Sequence, residues 1–271
     1  MSPMRRGART VGVLTAVVAL LVTGVQQAAA VRPAIIGGVD ADQEYPFMVS
    51  LQSSSGMHRC GGSLVAPAWV VTAAHCVRTR TRLITTARIG STDHTEGGEQ
   101  VEVAETVTHP DYDPKGAGGD LALVRLATPV RAEPITLGTA PVMGSETRLL
   151  GWGQTCPTEG CGPGPRVLQQ LDALVVEATG CTAEFAAEVE LCTGTAEGDA
   201  GTCYGDSGGP QVARVEERWE LLGASSRPGN GDRTCATAPS IYTSVPAYAE
   251  WITERIAPPS GEDDAVAQPL E

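Results

Sequence analysis

Basic residues are scarce in this chain of 271 residues. It has 19 basic residues against 32 acidic ones, a net charge of −13, and Lys115 is its single lysine. A chain this acidic repels nucleic acid and anionic membrane surfaces, so we predict no nucleic-acid partner. Apolar runs long enough to span a bilayer are also missing after the first thirty residues, so no membrane partner is expected for the mature protein.

Closely spaced cysteine pairs of the zinc-binding type are absent as well. The eight cysteines form no C-x-x-C pair and no second pair at zinc-ribbon spacing, which argues against the common structural zinc sites. We therefore expect no metal and no cofactor. The number of cysteines is even, which in an exported chain predicts disulfides.

The first thirty residues have the layout of a secretory signal peptide. Arg5, Arg6 and Arg9 precede the uncharged apolar run 11–25, and the alanines at 28–30 supply a small-residue cleavage site. A membrane anchor is the alternative, but the run is shorter than the roughly 20 residues that a spanning helix needs. We therefore expect a cleaved leader, residues 1–30, and a secreted, extracellular protein.

The rest of the chain is typical of an all-β domain. Strand-length apolar runs such as FMVSLQ, LALVRL and RLLGWG alternate with turn residues, which favours a sandwich or a barrel. Helical periodicity is weak. It predicts one short C-terminal helix at 245–257, and more weakly a second helix at 181–188. From residue 257 to 271 the sequence is rich in proline and acids, which predicts a disordered tail.

Ser207 lies in the glycine-rich stretch GTCYGDSGGP, where a nucleophile is conceivable. A serine hydroxyl needs a base within hydrogen-bond reach, and the base needs an orienting carboxylate. The N–H groups of Gly205 and Ser207 could both point at one developing oxyanion. None of the four histidines follows Ser207, which excludes the Ser–acid–His order of the α/β-hydrolases.

His75 and Asp120 are the best candidates for the base and the carboxylate. His75 ends the apolar run of WVVTAAHC beside a cysteine. Asp120 opens the buried run LALVRL and needs a hydrogen-bonding partner there, because a lone buried charge is costly. His94 and His109 lie in polar, turn-rich segments and are expected at the surface.

TAAHC, DLALV followed by RL, GWG and GDSGGP, in this order, resemble the chymotrypsin/trypsin family of serine endopeptidases. The resemblance covers residues 35–256 and implies two six-stranded antiparallel β-barrels with the active site between them. It implies Ser207 as nucleophile, His75 as base and then acid, and Asp120 as the group that orients His75. The strand that ends at Ser226 would pair with the substrate backbone.

The resemblance also implies cysteine pairings and an activation step. The implied disulfides are Cys60–Cys76, Cys181–Cys192 and Cys203–Cys235, while Cys156–Cys161 would cross-link a surface loop outside the core pattern. Release of a pro-segment at 31–34 would free the amino group of Ile35 to pair with Asp206. His58 is either the precursor's partner for Asp206 or a plain structural histidine.

The specificity pocket departs from trypsin-like members. Gly201 stands where an aspartate would bind arginine or lysine, and Thr202 and Ser240 would add hydroxyls, so we expect cleavage after neutral residues. Asp199 or Asp232 near the pocket would instead favour basic residues. In the neighbouring wall, Arg227 and Pro228 replace an aromatic residue and a glycine, and the proline lacks an N–H for the substrate.

The calcium loop of the family is also incomplete. Ser91 stands where a carboxylate would help to hold a cation, although Glu96 and Glu99 are kept. We do not predict calcium.

These observations predict a secreted serine endopeptidase that acts on proteins or peptides. Because the pro-segment ends in alanine, its activating protease must accept small residues. The mature protein is expected to be a monomer. A catalytically silent homologue that serves as a binding module and an esterase with the same three residues are the alternatives.

Overall fold

The computed structural model describes residues 35–78 and 83–257. The predicted signal peptide, the pro-segment and the tail beyond residue 257 lie outside these residues. The strands, in chain order, are β1 (Val39–Asp40), β2 (Met48–Gln52), β3 (His58–Ala66), β4 (Trp69–Thr72), β5 (Thr86–Ile89), β6 (Glu99–Thr108), β7 (Ala122–Leu126), β8 (Thr136–Leu137), β9 (Glu146–Gly151), β10 (Gln169–Val175), β11 (Glu190–Gly194), β12 (Pro210–Val215), β13 (Arg218–Pro228) and β14 (Ser240–Ser244). The helices are α1 (Ala74–Val77) and α2 (Ala249–Ile256), with 3-10 turns at Ala178–Gly180 and Pro246–Tyr248.

The first barrel closes in the order β2-β3-β4-β7-β6-β5, and all its pairings are antiparallel. The β6 strand, EQVEVAETVT, shows how the sequence builds it. Val101, Val103 and Val107 pack against the core, while the polar residues between them face solvent more. This period of two is the pattern of a half-buried strand.

The second barrel runs β10-β11-β14-β13-β12-β9, and a further β9–β10 pairing closes it. Its six strands are antiparallel, while β1 adds to the outside of β10 and the short β8 pairs in parallel with β13. Leu149, Leu191, Leu222 and Tyr242 form its interior together with Ile35. The predicted architecture of two six-stranded antiparallel barrels is confirmed.

The short C-terminal helix is also confirmed. After the turn at Pro246–Tyr248, α2 buries Ile252 and packs Trp251 and Ile256 against the core. None of the described helices has the length and apolar character to cross a membrane.

The weaker helix prediction at 181–188 is wrong. The segment forms bends and turns. Its backbone is satisfied by side chains instead of by helical bonds, since Ala186 N–H donates to Glu190 Oε2 (2.9 Å) and Arg227 donates to the carbonyl of Glu184. The bond from Cys181 to Cys192 on β11 also ties its start to a strand.

The surface position expected for His109 is wrong as well. Its side chain is buried, with ring centroids 4.7 Å from Tyr248 and 4.8 Å from Trp251. The local sequence is polar, but the turn at Pro246–Tyr248 and the helix α2 bring the rings of Tyr248 and Trp251 against the imidazole. His94 is half-buried between His58 and Trp152.

Four disulfides brace the loops, and their pairings are those that the sequence led us to expect. They are Cys60–Cys76, Cys156–Cys161, Cys181–Cys192 and Cys203–Cys235. No cysteine of the described chain is free. The first of these bonds joins β3 to α1, next to His75, so it holds the loop that carries this histidine.

Candidate active site

Strand register brings His75 and Asp120 together. The β4 and β7 strands pair, with Thr72 opposite Ala122. The chain leaves β4 into α1, which carries His75, and enters β7 two residues after Asp120. His75 Nδ1 lies 2.8 Å from Asp120 Oδ2, and the backbone N–H of His75 donates to Asp120 Oδ1 at 2.9 Å.

Asp120 is a buried carboxylate with several donors. Ser226 Oγ–H donates to its Oδ2 at 2.6 Å. Burial acts to raise the pKa of Asp120, but the hydrogen bonds and charge of His75, with the bond from Ser226, outweigh it and lower the pKa. The carboxylate therefore stays ionised and holds the proton of His75 on Nδ1, which leaves Nε2 as the acceptor.

Ser207 lies in the loop before β12, where the two barrels meet. Its carbonyl accepts a hydrogen bond from Gly61 N–H on β3, 2.8 Å away. Gly205 has a φ of +102°, a conformation that suits glycine. The backbone N–H groups of Gly205 and Ser207 donate to no described residue, so both are available to a ligand.

Two clefts flank Ser207. One has a volume of about 420 Å³ and is also lined by His75 and the Cys60–Cys76 disulfide, whereas the other has about 220 Å³ and is also lined by Thr202 and Ser226. No hydrogen bond joins Ser207 Oγ to His75 Nε2 in the described chain. Such bonds are often long in proteins without substrate and shorten when substrate binds.

Two of the four residues of the predicted specificity pocket line the smaller cleft. Thr202 and Ser226 line it, whereas Gly201 and Ser240 are not among its lining residues. Thr202 Oγ1–H donates to Ser240 Oγ at 2.9 Å, and a Cβ added at Gly201 would lie 3.3 Å from the same oxygen. Gly201, Thr202 and Ser240 therefore form one group, with a hydroxyl pair beside a residue that has no side chain.

The acids considered near this pocket occupy different places. Asp232 lines the smaller cleft but is exposed, and its carboxylate accepts a hydrogen bond from Thr234 N–H. Arg233 lines the cleft beside it and pairs with Glu159 at 2.8 Å. Asp199 lines a separate cavity on the second barrel.

Glu190, which the sequence reasoning missed, anchors Arg227. Its fully buried carboxylate pairs with the guanidinium at 2.6 Å and 3.0 Å and also accepts the N–H groups of Gly118 and Ala186. A glutamate inside an apolar strand demands such partners, so its place in VELC was a usable signal. The pair ties β11 to the end of β13, next to Ser226.

Asp206 is buried without a cation. Among the described residues it accepts only backbone N–H groups, from Gly153 at 2.7 Å and from Cys203 at 2.8 Å. Burial raises its pKa to about 7, although these two bonds act in the opposite direction. A Cβ added at Gly153 would lie 2.3 Å from its Oδ2, which explains the last glycine of GWG.

His58 contacts Gly205 instead of Asp206. Its Nε2 lies 2.9 Å from the Gly205 carbonyl, which can only accept, so Nε2 carries the proton and Nδ1 accepts from Ser50 Oγ–H at 2.8 Å. Burial lowers the pKa of His58 to about 4, so the ring is neutral at pH 7. In this state His58 supports the backbone of Gly205.

Ile35 is fully buried in the second barrel. Its φ is +46°, a strained value for a β-branched residue. The next residue, Ile36, accepts a hydrogen bond from Gly201 N–H at 3.0 Å. The segment 201–206 therefore contacts the start of the predicted mature chain and also contains Asp206.

One group of metal-type donors occurs in the described chain, namely Cys60, His75 and Cys76. Both sulfurs belong to the same disulfide, so neither can act as a thiolate ligand. In the loop compared with a calcium site, Glu96 pairs with Arg166, and Glu99 Oε1 accepts the backbone N–H groups of Arg131 and Ala132.

Comparison with known proteins agrees with this architecture. The family model described as Trypsin matches residues 35–252. A trypsin of Sarcophaga bullata is 36% identical over 232 residues, which cover 80% of this chain and 87% of that protein. Serine protease 1 of Homo sapiens is 36% identical over 237 residues, which cover 82% of this chain and 90% of that protein.

Two closed antiparallel barrels, together with these matches, define the class of the protein as a serine endopeptidase. The chain belongs to the trypsin family. Protein substrates follow from membership of a protease family.

Proposed function

We propose that this protein is an extracellular endopeptidase that cleaves after small neutral residues through Ser207, His75 and Asp120. One observation carries the proposal. His75 is held 2.8 Å from the buried Asp120 carboxylate, on the rim of a cleft that Ser207 also lines. The orienting carboxylate, the base and the nucleophile thus follow the order that acyl transfer requires.

The reaction has two halves. Ser207 Oγ attacks the substrate carbonyl carbon while His75 Nε2 takes the hydroxyl proton, and the N–H groups of Gly205 and Ser207 bind the oxyanion. Collapse breaks the C–N bond, and the leaving amine takes the proton from His75, which leaves an acyl group on Ser207. Water then attacks the ester, His75 accepts its proton, and Ser207 leaves as the alcohol while the acid is released.

The preference for small residues rests on the 220 Å³ cleft. The hydroxyl pair of Thr202 and Ser240 lies beside Gly201, where no carboxylate is present to bind a basic side chain. We infer that this pair closes the pocket at the depth of Thr202. Asp232 is exposed and lies beside Arg233, so its charge is screened and partly offset.

Activation by release of Ile35 is the second part of the proposal. Asp206 is buried and has no cation among the described residues, which is a costly state that an ammonium group would relieve. The φ angle of a residue includes the carbonyl carbon of the residue before it. The positive φ of Ile35 therefore exists only while the peptide bond before Ile35 is intact. Cleavage before Ile35 would remove that restriction, worth about 1–3 kcal/mol, and create the missing ammonium.

Export, the activating protease and the oligomeric state remain predictions. The leader at 1–30 supports export, and the alanine at 34 supports an activator that accepts small residues. We expect the mature protein to be a monomer. That His58, with Ser50, binds Asp206 in the precursor also stays a prediction; in the structure His58 contacts Gly205.

The test is to map every cut that protein beginning at Ile35 makes in a diverse peptide mixture, with Ser207→Ala as the control. Removal of the nucleophile should lower turnover by roughly a millionfold. Cuts after small neutral residues, absent in the control, would support both Ser207 as the nucleophile and the neutral specificity pocket. Cuts after arginine or lysine would keep the mechanism and refute the pocket, and Asp232→Asn would then reveal their source.

Two outcomes would favour the alternatives. If a sample with a verified Ile35 terminus cleaves no peptide but hydrolyses small esters, the esterase is favoured. If it does neither, a catalytically silent binding module is favoured.

A further inference from the structure

The larger cleft lies on the leaving-group side of Ser207. It is bounded by the Cys60–Cys76 disulfide, and Cys76 Sγ lies 3.9 Å from His75 Nε2. In the proposed reaction His75 Nε2 gives its proton to the leaving amine. The part of the substrate that follows the scissile bond must therefore begin beside this disulfide.

Arg59 lines this cleft and has no partner within the described chain. Its side chain forms no ion pair or hydrogen bond, and its Nε is buried without an acceptor. A buried donor without an acceptor costs free energy that a bound ligand can recover. Arg59 thus differs from Arg227, whose guanidinium is fully engaged by Glu190.

The backbone directs Arg59 to this position through a β-bulge. The β2–β3 register pairs Leu51 with Cys60 but Gln52 with His58, so Arg59 is the extra residue. Bulges commonly aim a side chain toward a neighbouring site. Both sides of the bulge are fixed, by the hydrogen bonds of the His58 ring and by the Cys60 disulfide.

The charge of Arg59 is not neutralised by the rest of the cleft. Glu159 is its only lining carboxylate in the described chain, and Glu159 pairs with Arg233 at 2.8 Å. The protein as a whole carries a net charge of −13. A local cation without a partner, on an otherwise acidic protein, marks the position where an acidic group would be accepted.

We propose that Arg59 is a specificity-determining residue that binds a carboxylate side chain on the second substrate residue after the scissile bond. The β3 strand leads away from Ser207 in the order Gly61, Cys60, Arg59, and Gly61 N–H contacts the Ser207 carbonyl. The first leaving-group residue lies against the disulfide. The next, about 3.3 Å further along an extended chain, comes level with Arg59. This inference rests on the proposed function.

The test compares peptides that are identical except for glutamate, glutamine or lysine at that second residue. Their C-termini are amidated, so that a side-chain carboxylate is the only acidic probe, and a fourth peptide has glutamine there and a free C-terminus directly after it. We expect kcat/KM with glutamate to exceed that with glutamine by about tenfold, as for charged hydrogen bonds. The ratio should fall as salt is raised, and lysine should be worst.

Variants identify the source of the preference. Arg59→Gln should reduce the glutamate-to-glutamine ratio to near one, and Arg59→Lys should restore part of it. Arg255→Gln, an exposed arginine on α2 without a described partner, is the matched control and should keep the ratio.

Equal kcat/KM for glutamate and glutamine, or a ratio that survives Arg59→Gln, would overturn the proposal. A gain confined to the peptide with a free C-terminus would assign the site to terminal carboxylates and refute the side-chain preference. If none of the peptides in the set is cleaved, that result would instead refute the proposed function. Should Arg59→Gln not fold, the salt dependence and Arg59→Lys still decide the matter.

Discussion

Asp120 and Asp206 are both buried aspartates, one bound to His75 and the other adjacent to Ser207, but their surroundings differ. Asp120 has His75 at 2.8 Å and Ser226 at 2.6 Å, and these contacts lower its pKa. Among the described residues, Asp206 has only two backbone N–H groups as partners, and burial raises its pKa to about 7. The first site is electrostatically complete within the described chain, whereas the second lacks a cation.

This difference shows that the cost of a buried carboxylate depends on its partners. At Asp120 the partner is the His75 side chain on α1, which the pairing of β4 with β7 places next to it. At Asp206 the proposed partner is an amino group that does not exist until the chain is cut. One carboxylate would therefore serve the reaction itself, and the other would make the reaction conditional on processing.

The largest expected effect is at Asp120. In protein that begins at Ile35, Asp120→Asn should lower kcat/KM by about 10⁴-fold, because an amide would stabilise the wrong tautomer of His75. Asp113→Asn, an exposed aspartate, is the control and should have little effect. Peptide hydrolysis with and without Asp120→Asn decides this point. A loss below tenfold would contradict the orienting role.

Asp206 should respond through the new terminus. Blocking the Ile35 amino group after processing should lower kcat/KM by roughly 100-fold, because the salt bridge worth several kcal/mol is lost. Asp206→Asn in the processed protein should produce a similar loss, and the two changes together should not add. Additive losses would show that the two groups act on different steps.

Stability depends on the buried pair of Glu190 and Arg227. Glu190→Gln should lower the free energy of unfolding by about 3 kcal/mol, because it leaves a partly buried guanidinium without its charge partner. The exposed pair Arg125–Glu105 is the matched comparison, and Glu105→Gln should cost less than about 1 kcal/mol. Denaturant unfolding of both variants measures the difference, and equal costs would refute the argument from burial.

A pH dependence of stability separates the two aspartates. In unprocessed chain the folded pKa of Asp206 is raised, so its contribution to stability is present below pH 4 and is lost as pH rises to about 7. The folded pKa of Asp120 is lowered, so its contribution is present at neutral pH and is lost as pH falls below about 4. Unfolding of the precursor from about pH 2 to pH 8 covers both ranges and tests this.

Asp206→Asn should flatten the fall between pH 4 and 7, and processing at Ile35 should do the same. If the precursor loses no stability over that range, or if Asp206→Asn leaves the slope unchanged, Asp206 is not the titrating group.

Local patterns were enough for much of the fold. The apolar runs FMVSLQ, LALVRL and RLLGWG predicted strands, and the spacing of Trp251, Ile252 and Ile256 predicted a helix, and all of these elements formed. The helix predicted at 181–188 did not form because Glu190, Arg227 and the Gly229 carbonyl bond the backbone of this segment, and the Cys181–Cys192 disulfide ties its start to β11. His109 failed because α2, far along the chain, covers it.

By itself, the sequence determined the strand-rich architecture, the disulfide chemistry and the order of the histidine, aspartate and serine motifs, since these depend on residue type and spacing. Only the tertiary structure decided which buried carboxylates have partners, because a partner such as Arg227 for Glu190 comes from a different strand. It also decided that the bulge places Arg59, which has no partner among the described residues, on the cleft that His75 and Ser207 line. Register and packing set such contacts, and no local pattern records them.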